Sequence, residues 1–273
     1  MSDVSAVVVT YNALPWVERA LESVRGHETV VVDHGSSDET VAFVRERFPE
    51  VDVVEEENRG LAYGWNTGMA RTSGRYVLLL NADAWMHDGA VDALVAFADA
   101  HPRAAVVAPQ LRNVDGTLQR SVRAFPTLWR IATEYLFVRK LAPRSRALNA
   151  FYAGGFDHDE PRDADWIMGA VWFVRRAAVD EVGPADDSFF LFSEETDWAY
   201  RFHRAGWQVW FDPDAVATHV YGGSHQGRML AENVKSQLRF LEKHHGARYA
   251  RAARSILVLG LLLRRRLDVI RVL

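Results

Sequence analysis

Acidic residues that close apolar segments are the first candidates for chemistry in this chain. Asp83 follows Val77-Leu78-Leu79-Leu80, and Asp33 ends the run Thr29 to Asp33, so each carboxylate stands where a buried strand would meet a sheet edge. One carboxylate, with phosphate oxygens and water, is an ordinary way to hold Mg2+ or Mn2+, which then stabilises a departing diphosphate. Asp33 is placed to accept hydrogen bonds from a base or ribose, and Tyr11 offers an aromatic face to the same ligand. Turn and cap chemistry explains Ser37 and part of Asp38 but explains Asp33 poorly. His219 makes chemical sense as a second metal ligand beside Asp83, although a lone histidine is more often structural.

A transfer reaction also needs a base for the acceptor proton. Glu194-Glu195-Thr196-Asp197 opens a helix after the apolar Phe189 to Phe192. The helix macrodipole favours acids in a first turn, yet three carboxylates in four positions exceed what capping needs. Their mutual repulsion would raise the proton affinity of one of them, which suits a general base. Asn58-Arg59-Gly60, with Asn66 and Gly68 beyond, adds a cation and a flexible backbone able to approach a nucleotide. Trp166, Trp172 and Trp198 can stack on sugar rings or simply fill a core.

These residues need a scaffold, and the patterning supplies an α/β one. Apolar runs at Val4 to Thr10, Thr29 to Asp33, Val51 to Glu55 and Tyr76 to Leu80 read as parallel strands buried on both faces. Helical stretches lie between them; later ones are expected over Leu61 to Thr72 and Gly89 to His101. The first hundred residues thus form an open, Rossmann-like, mostly parallel sheet with flanking helices. Asp115-Gly116 signals a hairpin, Arg123 to Arg162 reads as an irregular loop, and Trp166 to Val174, Glu194 to Ala205 and Val209 to Phe211 read as strand, helix and short strand.

From Ala231 the chain looks helical, with ten Lys or Arg residues between Lys235 and Arg271 against Glu242 and Asp268 in that span. Basic amphipathic helices of this kind lie on anionic membranes or pack on their own domain with a solvated face. The expected organisation is a catalytic domain over 1–228, with a nucleotide-binding half to about 110 and an acceptor-binding half over 111–228, followed by a basic helical extension over 229–273.

With 49% hydrophobic residues a sizeable core is assured, and a net charge of -4 argues against a nucleic-acid partner. The absence of cysteine excludes thiolate metal sites and cysteine nucleophiles. No signal-like segment precedes the first strand, so a cytoplasmic protein is expected, peripheral to the inner face of the plasma membrane if the basic helices bind there.

Taken in order, Val8-Val9-Thr10-Tyr11-Asn12, Val32-Asp33-His34-Gly35-Ser36-Ser37-Asp38, Asn58-Arg59-Gly60, Asn81-Ala82-Asp83, Gly169-Ala170 and Glu194-Glu195-Thr196-Asp197-Trp198 resemble the family 2 glycosyltransferases of the GT-A fold, especially their rhamnosyltransferase-like bacterial branch. The resemblance implies an inverting transferase that moves a sugar from a nucleoside-diphosphate sugar, dTDP-rhamnose or a UDP-sugar, to a glycan or lipid-linked acceptor in cell-envelope polysaccharide synthesis. It implies a nucleotide-sugar site of Thr10, Tyr11, Asn12, Asp33, Arg59, Asn66, Asn81 and Asp83, and a Mg2+ or Mn2+ site of Asp83 and His219. Glu195 stands at the catalytic base, with Trp166, Gly169, Glu194, Asp197 and Trp198 around the acceptor. Asn81 replaces the first aspartate of the family's DxD-type motif, which leaves one metal carboxylate there.

Two other classes compete. A nucleotidyltransferase would carry a glycine-rich, cationic loop after the first strand, where this chain has Thr10-Tyr11-Asn12-Ala13-Leu14-Pro15. A catalytically silent sugar-nucleotide or lipid-carrier binding module would have no need of Asp83 and Glu195 together.

Overall fold

A computed structural model describes residues 3–142, 145–220, 229–271 and 273. The first half runs β1 (Val4–Thr10), α1 (Val17–Glu22), β2 (Glu28–Asp33), α2 (Thr40–Arg47), β3 (Asp52–Glu55), α3 (Leu61–Ala70), β4 (Tyr76–Asn81), β5 (Ala84–Met86), α4 (Ala90–Ala100) and β6 (Ala104–Arg112). Alternation along β1 explains its unbroken apolar run. Val4, Ala6 and Val8 enter one core with Val17, Val44 and Leu94. Val7 enters the opposite core with Ala62 and Trp65 of α3. The four strands read from sequence are found to within one residue at each end, and their parallel order β3-β2-β1-β4 is the expected β-α-β pattern.

The second half continues β7 (Leu118–Gln119), β8 (Val122–Arg123), α5 (Leu128–Tyr135), β9 (Arg162–Asp163), β10 (Trp166–Ile167), β11 (Val171–Arg175), α6 (Arg176–Val182), α7 (Glu194–Arg204), β12 (Gln208–His219), α8 (Leu230–His245), α9 (Ala247–Leu263) and α10 (Leu267–Ile270). The main sheet has ten strands, with β11, β6, β12 and β5 following β4 and with β7 and β9 attached at β6 and β12. β11 lies antiparallel between β4 and β6, which makes the sheet mixed.

Three expectations change. The single strand expected over Trp166 to Val174 is broken at 168–170, because β10 pairs with β8 in a separate small sheet. The short strand at Val209 to Phe211 extends to His219 by absorbing Asp212-Pro213 in an irregularity of register beside β6. The supposed loop over Arg123 to Arg162 contains α5, whose Ile131, Thr133 and Tyr135 are buried. Its N-cap, Thr127, accepts a hydrogen bond from the Arg130 N–H at 3.2 Å.

The basic C-terminal helices share a third core with α5. Val234, Phe240, Leu241, Ala253, Leu257 and Leu261 pack with Ile131, Tyr135 and Phe189. No helix among the described residues is long and apolar enough to cross a membrane. The domain boundary expected at 228 lies outside the described residues.

Candidate active site

Because β1, β2 and β4 are parallel and in register, Thr10 stands opposite Asp33, and Val9 opposite Asn81, at one sheet edge. The Asp33 carboxylate is buried and accepts hydrogen bonds from Thr10 Oγ1 (2.7 Å), the Ser36 N–H (2.7 Å) and Ser36 Oγ (2.6 Å). Asn12 adopts a left-handed backbone, φ 48°, and its Oδ1 accepts from the Ser37 N–H at 2.8 Å. Thr10, Asn12 and Asp33 therefore knit two strand-end loops into one rigid lip. Tyr11, between them, is 54% exposed, and the exposed Arg59 has its guanidinium 4.1 Å from the centre of the Tyr63 ring. These two present open faces to a ligand. Asn66 does not: both ends of its amide are taken by the backbone of Ala185, at 2.8 and 3.1 Å. The expected nucleotide contact gives way to a clamp between α3 and residue 185.

Asp83 and His219 are brought together by β5 and β12, which pair antiparallel with His219 opposite Ala84. Both side chains are buried, and His219 Nε2 lies 3.6 Å from Asp83 Oδ1. That spacing is long for a hydrogen bond, whereas two ligands each about 2.1 Å from one cation lie roughly 3.0 to 3.6 Å apart. His219 Nδ1 is 2.7 Å from Gln119 Oε1. The Gln119 amide is oriented by its other end, which donates to Asn113 Oδ1 at 2.9 Å, so its oxygen faces the imidazole and can only accept. Nδ1 therefore donates to Gln119, and Nε2 is the nitrogen that faces Asp83. Oxygen and imidazole donors in this arrangement fit Mg2+ or Mn2+. No group of three His, Asp or Glu gathers among the described residues, so diphosphate oxygens and water would complete the shell. Gln119 was not foreseen from sequence; the Asp115-Gly116 turn predicted its hairpin but not its partner a hundred residues on.

Glu195 is held by distant segments. Phe192 and Ser193 both take left-handed backbone, φ 66°, to turn the chain into α7. The loop before them rests on Gly60, where a Cβ would come 2.3 Å from the Phe190 carbonyl oxygen, so only glycine allows the approach. Glu194 and Glu195 are 2% and 9% exposed, and the Oε2 of each has no hydrogen-bond partner among the described residues. Burial pushes the Glu195 carboxyl up to about 7, against backbone hydrogen bonds that include one from Gly169. Burial, and then the charge of Glu195, raise Glu194 well above the carboxylate range. Gly169 belongs to the turn that splits β10 from β11, and its neighbour Ala170 accepts the Asn81 N–H at 3.0 Å. One turn thus joins the Asn81-Ala82-Asp83 segment to Glu195.

The remaining expected acceptor contacts divide. Trp166 is half-buried, anchored by its Nε1 to the Ala124 carbonyl at 3.0 Å. Trp198 has no exposure and stacks with Trp65 and Trp172, ring centres 6.2 to 6.3 Å apart, behind Glu195. Asp197 is equally buried. Burial alone would raise it, but hydrogen bonds from His244 (2.7 Å), Lys243 (2.6 Å) and Arg201 (2.8 Å) hold it below the usual carboxylate range. Neither Asp197 nor Trp198 reaches an acceptor: one ties α7 to α8, and the other fills the core.

The sequence profile of glycosyl transferase family 2 matches residues 5–158, more than half of the chain. The chain belongs to glycosyl transferase family 2. This family 2 transferase is 29% identical, over 90% of its own length and 86% of the relative's, to the N-acetylglucosaminyl-diphospho-decaprenol L-rhamnosyltransferase of Mycobacterium tuberculosis. Its fold is similar to that of the mannosyltransferase PcManGT from Pyrobaculum calidifontis in complex with GDP-Man and Mn2+, with a TM-score of 0.63 at 18% identity over 95% of this chain and 73% of that one. It is also similar to GalNAc-T7 with UDP, GalNAc and Mn2+, with a TM-score of 0.62 at 17% identity over 89% of this chain and 48% of the other, about half of that neighbour's length. The fold is the GT-A fold expected from the sequence.

Proposed function

We propose that the chain is a metal-dependent, inverting glycosyltransferase that moves a sugar from dTDP-rhamnose or a UDP-sugar to a hydroxyl of a glycan or lipid-linked acceptor in cell-envelope polysaccharide synthesis. The observation that carries this reading is the buried Glu195, with an oxygen unpartnered among the described residues and a raised proton affinity, joined through one turn to the Asp83 segment. Similarity to the decaprenol-linked rhamnosyltransferase supports the donor and acceptor classes.

Tyr11 and Arg59 receive the nucleotide at a lip made rigid by Thr10, Asn12 and Asp33. Asp83 and His219 would hold Mg2+ or Mn2+, which supplies charge stabilisation to the leaving diphosphate. Glu195 takes the proton of the acceptor hydroxyl, whose oxygen attacks the anomeric carbon from the face opposite the leaving group. The new C–O bond forms as the bond to the diphosphate breaks, and configuration inverts. Metal-dependent binding of UDP or dTDP, followed by calorimetry, should be lost in Asp83→Ala. Absence of binding by both nucleotides with Mn2+ would sink this reading.

A cytoplasmic enzyme resting on an anionic membrane fits the outer side of α9, opposite its buried Ala253 and Leu257. There Leu259, Leu262 and Leu263 are 50%, 49% and 58% exposed, and Arg248 and Arg251 in the first turns of the helix and Arg265 just beyond its end are exposed too. The protein should sediment with phosphatidylglycerol vesicles, and Leu259→Gln with Leu263→Gln should release it; equal sedimentation of the two forms would refute the contact.

A further inference from the structure

On the acceptor side a cavity of about 320 Å³ opens between β8, β9 and the turns around 146–154. Four arginines line it, Arg123, Arg130, Arg146 and Arg162, against two aspartates. Arg130 is committed to Asp165, 3.4 Å away, and Asp165 also accepts the Phe125 N–H at 2.8 Å. Asp163 accepts from Gln208 at 3.2 Å. Arg146 and Arg162 make no ion pair among the described residues. Arg162 is steadied 4.6 Å from the centre of the Phe156 ring, and Arg123 5.2 Å from that of Tyr152. The walls between them include Ala150, Ala153 and Gly154, whose small side chains leave room at the guanidinium groups. The positive field is concentrated enough that Arg120, Arg123 and Arg162 add to burial in keeping the nearby His158 neutral, its proton affinity lowered to about 4.

The cavity is linked to the turn at Gly169 through Arg123, whose guanidinium donates to Met168 Sδ at 3.3 Å. Arg123 pairs across the small sheet with Trp166, three residues before Gly169, whose backbone hydrogen-bonds the Glu195 carboxylate. Planar guanidinium forks bind phosphate oxygens in pairs, and two uncompensated positive charges match a doubly esterified diphosphate. We propose that this cavity binds the diphosphate of a lipid-linked acceptor, holding it on Arg146, Arg162 and Arg123 while the acceptor sugar lies at Glu195. The proposal rests on the transferase reading above and names the acceptor group that the reading leaves open.

Inorganic pyrophosphate titrated in EDTA, followed by calorimetry, probes the cavity without the metal-dependent donor site. Wild type should bind it, and Arg146→Gln with Arg162→Gln should weaken binding by about tenfold or more. The same double variant should bind UDP or dTDP with Mn2+ as wild type does. With a diphosphate-linked acceptor its KM should rise about tenfold at little-changed kcat, and with an acceptor lacking the diphosphate it should behave as wild type. Pyrophosphate binding that is absent, or indifferent to the substitutions, overturns the proposal while nucleotide binding still upholds the transferase. Loss of binding to phosphatidylglycerol vesicles, with the acceptor KM unchanged, would assign the arginines to lipid headgroups and overturn it as well.

Discussion

The lip around Asp33 and the carboxylate pair that opens α7 are built on opposite plans. At the lip, Thr10, Asn12, Asp33 and Ser36 satisfy one another within thirty residues of sequence, and the groups left for a ligand are exposed ones. At the start of α7, two carboxylates are buried, each with an oxygen that has no hydrogen-bond partner among the described residues, and they are held by Gly60, Gly169 and the three-tryptophan stack. A self-satisfied lip forms as the parallel sheet forms and adds to stability. A buried, partly satisfied carboxylate pair subtracts from it, and persists because long-range packing leaves it no alternative. The two regions are thus separable: the lip is made by the fold, whereas the buried carboxylate pair is made against it.

The widest separation of the two plans comes from Glu195→Gln. Turnover should fall by about 10³-fold, since an amide cannot take the acceptor proton, while UDP or dTDP binding with Mn2+ stays at the wild-type level. In wild type, activity should rise with pH through about 7 as the Glu195 carboxyl ionises. Stability should move the other way. A carboxyl whose folded proton affinity is raised contributes most below its unfolded value near 4.5, and that contribution is lost as pH climbs to about 7. Glu195→Gln, which does not titrate, should therefore gain on wild type by about 1 to 3 kcal/mol between pH 5 and pH 8. Thermal unfolding at the two pH values checks this; an equal difference at both would show that the carboxylate costs nothing to bury and break the contrast with the lip.

What was legible in the sequence follows the same division. Strands β1 to β4 were found nearly to the residue because a central parallel strand must be apolar on both faces, a local property. The sequence offers Asp83, Glu195 and His219 as candidates by residue type alone, and the strand pairing that unites Asp83 with His219 comes only with the fold. Asn66, Asp197 and Trp198 show where local reading stops. Their types suit ligand binding, but each is occupied by a tertiary partner: Ala185 for Asn66, Lys243 and His244 for Asp197, Trp65 and Trp172 for Trp198. Helix α5 has no clear local signature because its buried face is completed by α8 and α9, a hundred residues downstream.

Gln119 offers a finer test, because it serves the donor side yet is positioned in the long-range manner of the base. Its amide fixes the His219 tautomer through a chain that runs back to Asn113 at the other arm of the hairpin. Gln119→Leu keeps the bulk but removes the acceptor for the Nδ1 proton, so His219 is free to turn or to place its proton on Nε2, where it cannot ligate. Mn2+ affinity in the presence of UDP should fall about tenfold, and metal-free behaviour at the lip should not change. Gln119→Glu, which still accepts from Nδ1, should keep most of the affinity. Paramagnetic resonance of free Mn2+ reads both variants without turnover. If Gln119→Leu binds Mn2+ as wild type does, the metal side needs no long-range support and belongs wholly to the self-contained plan of the lip; a tenfold loss rescued by glutamate places the dividing line between the two plans through His219.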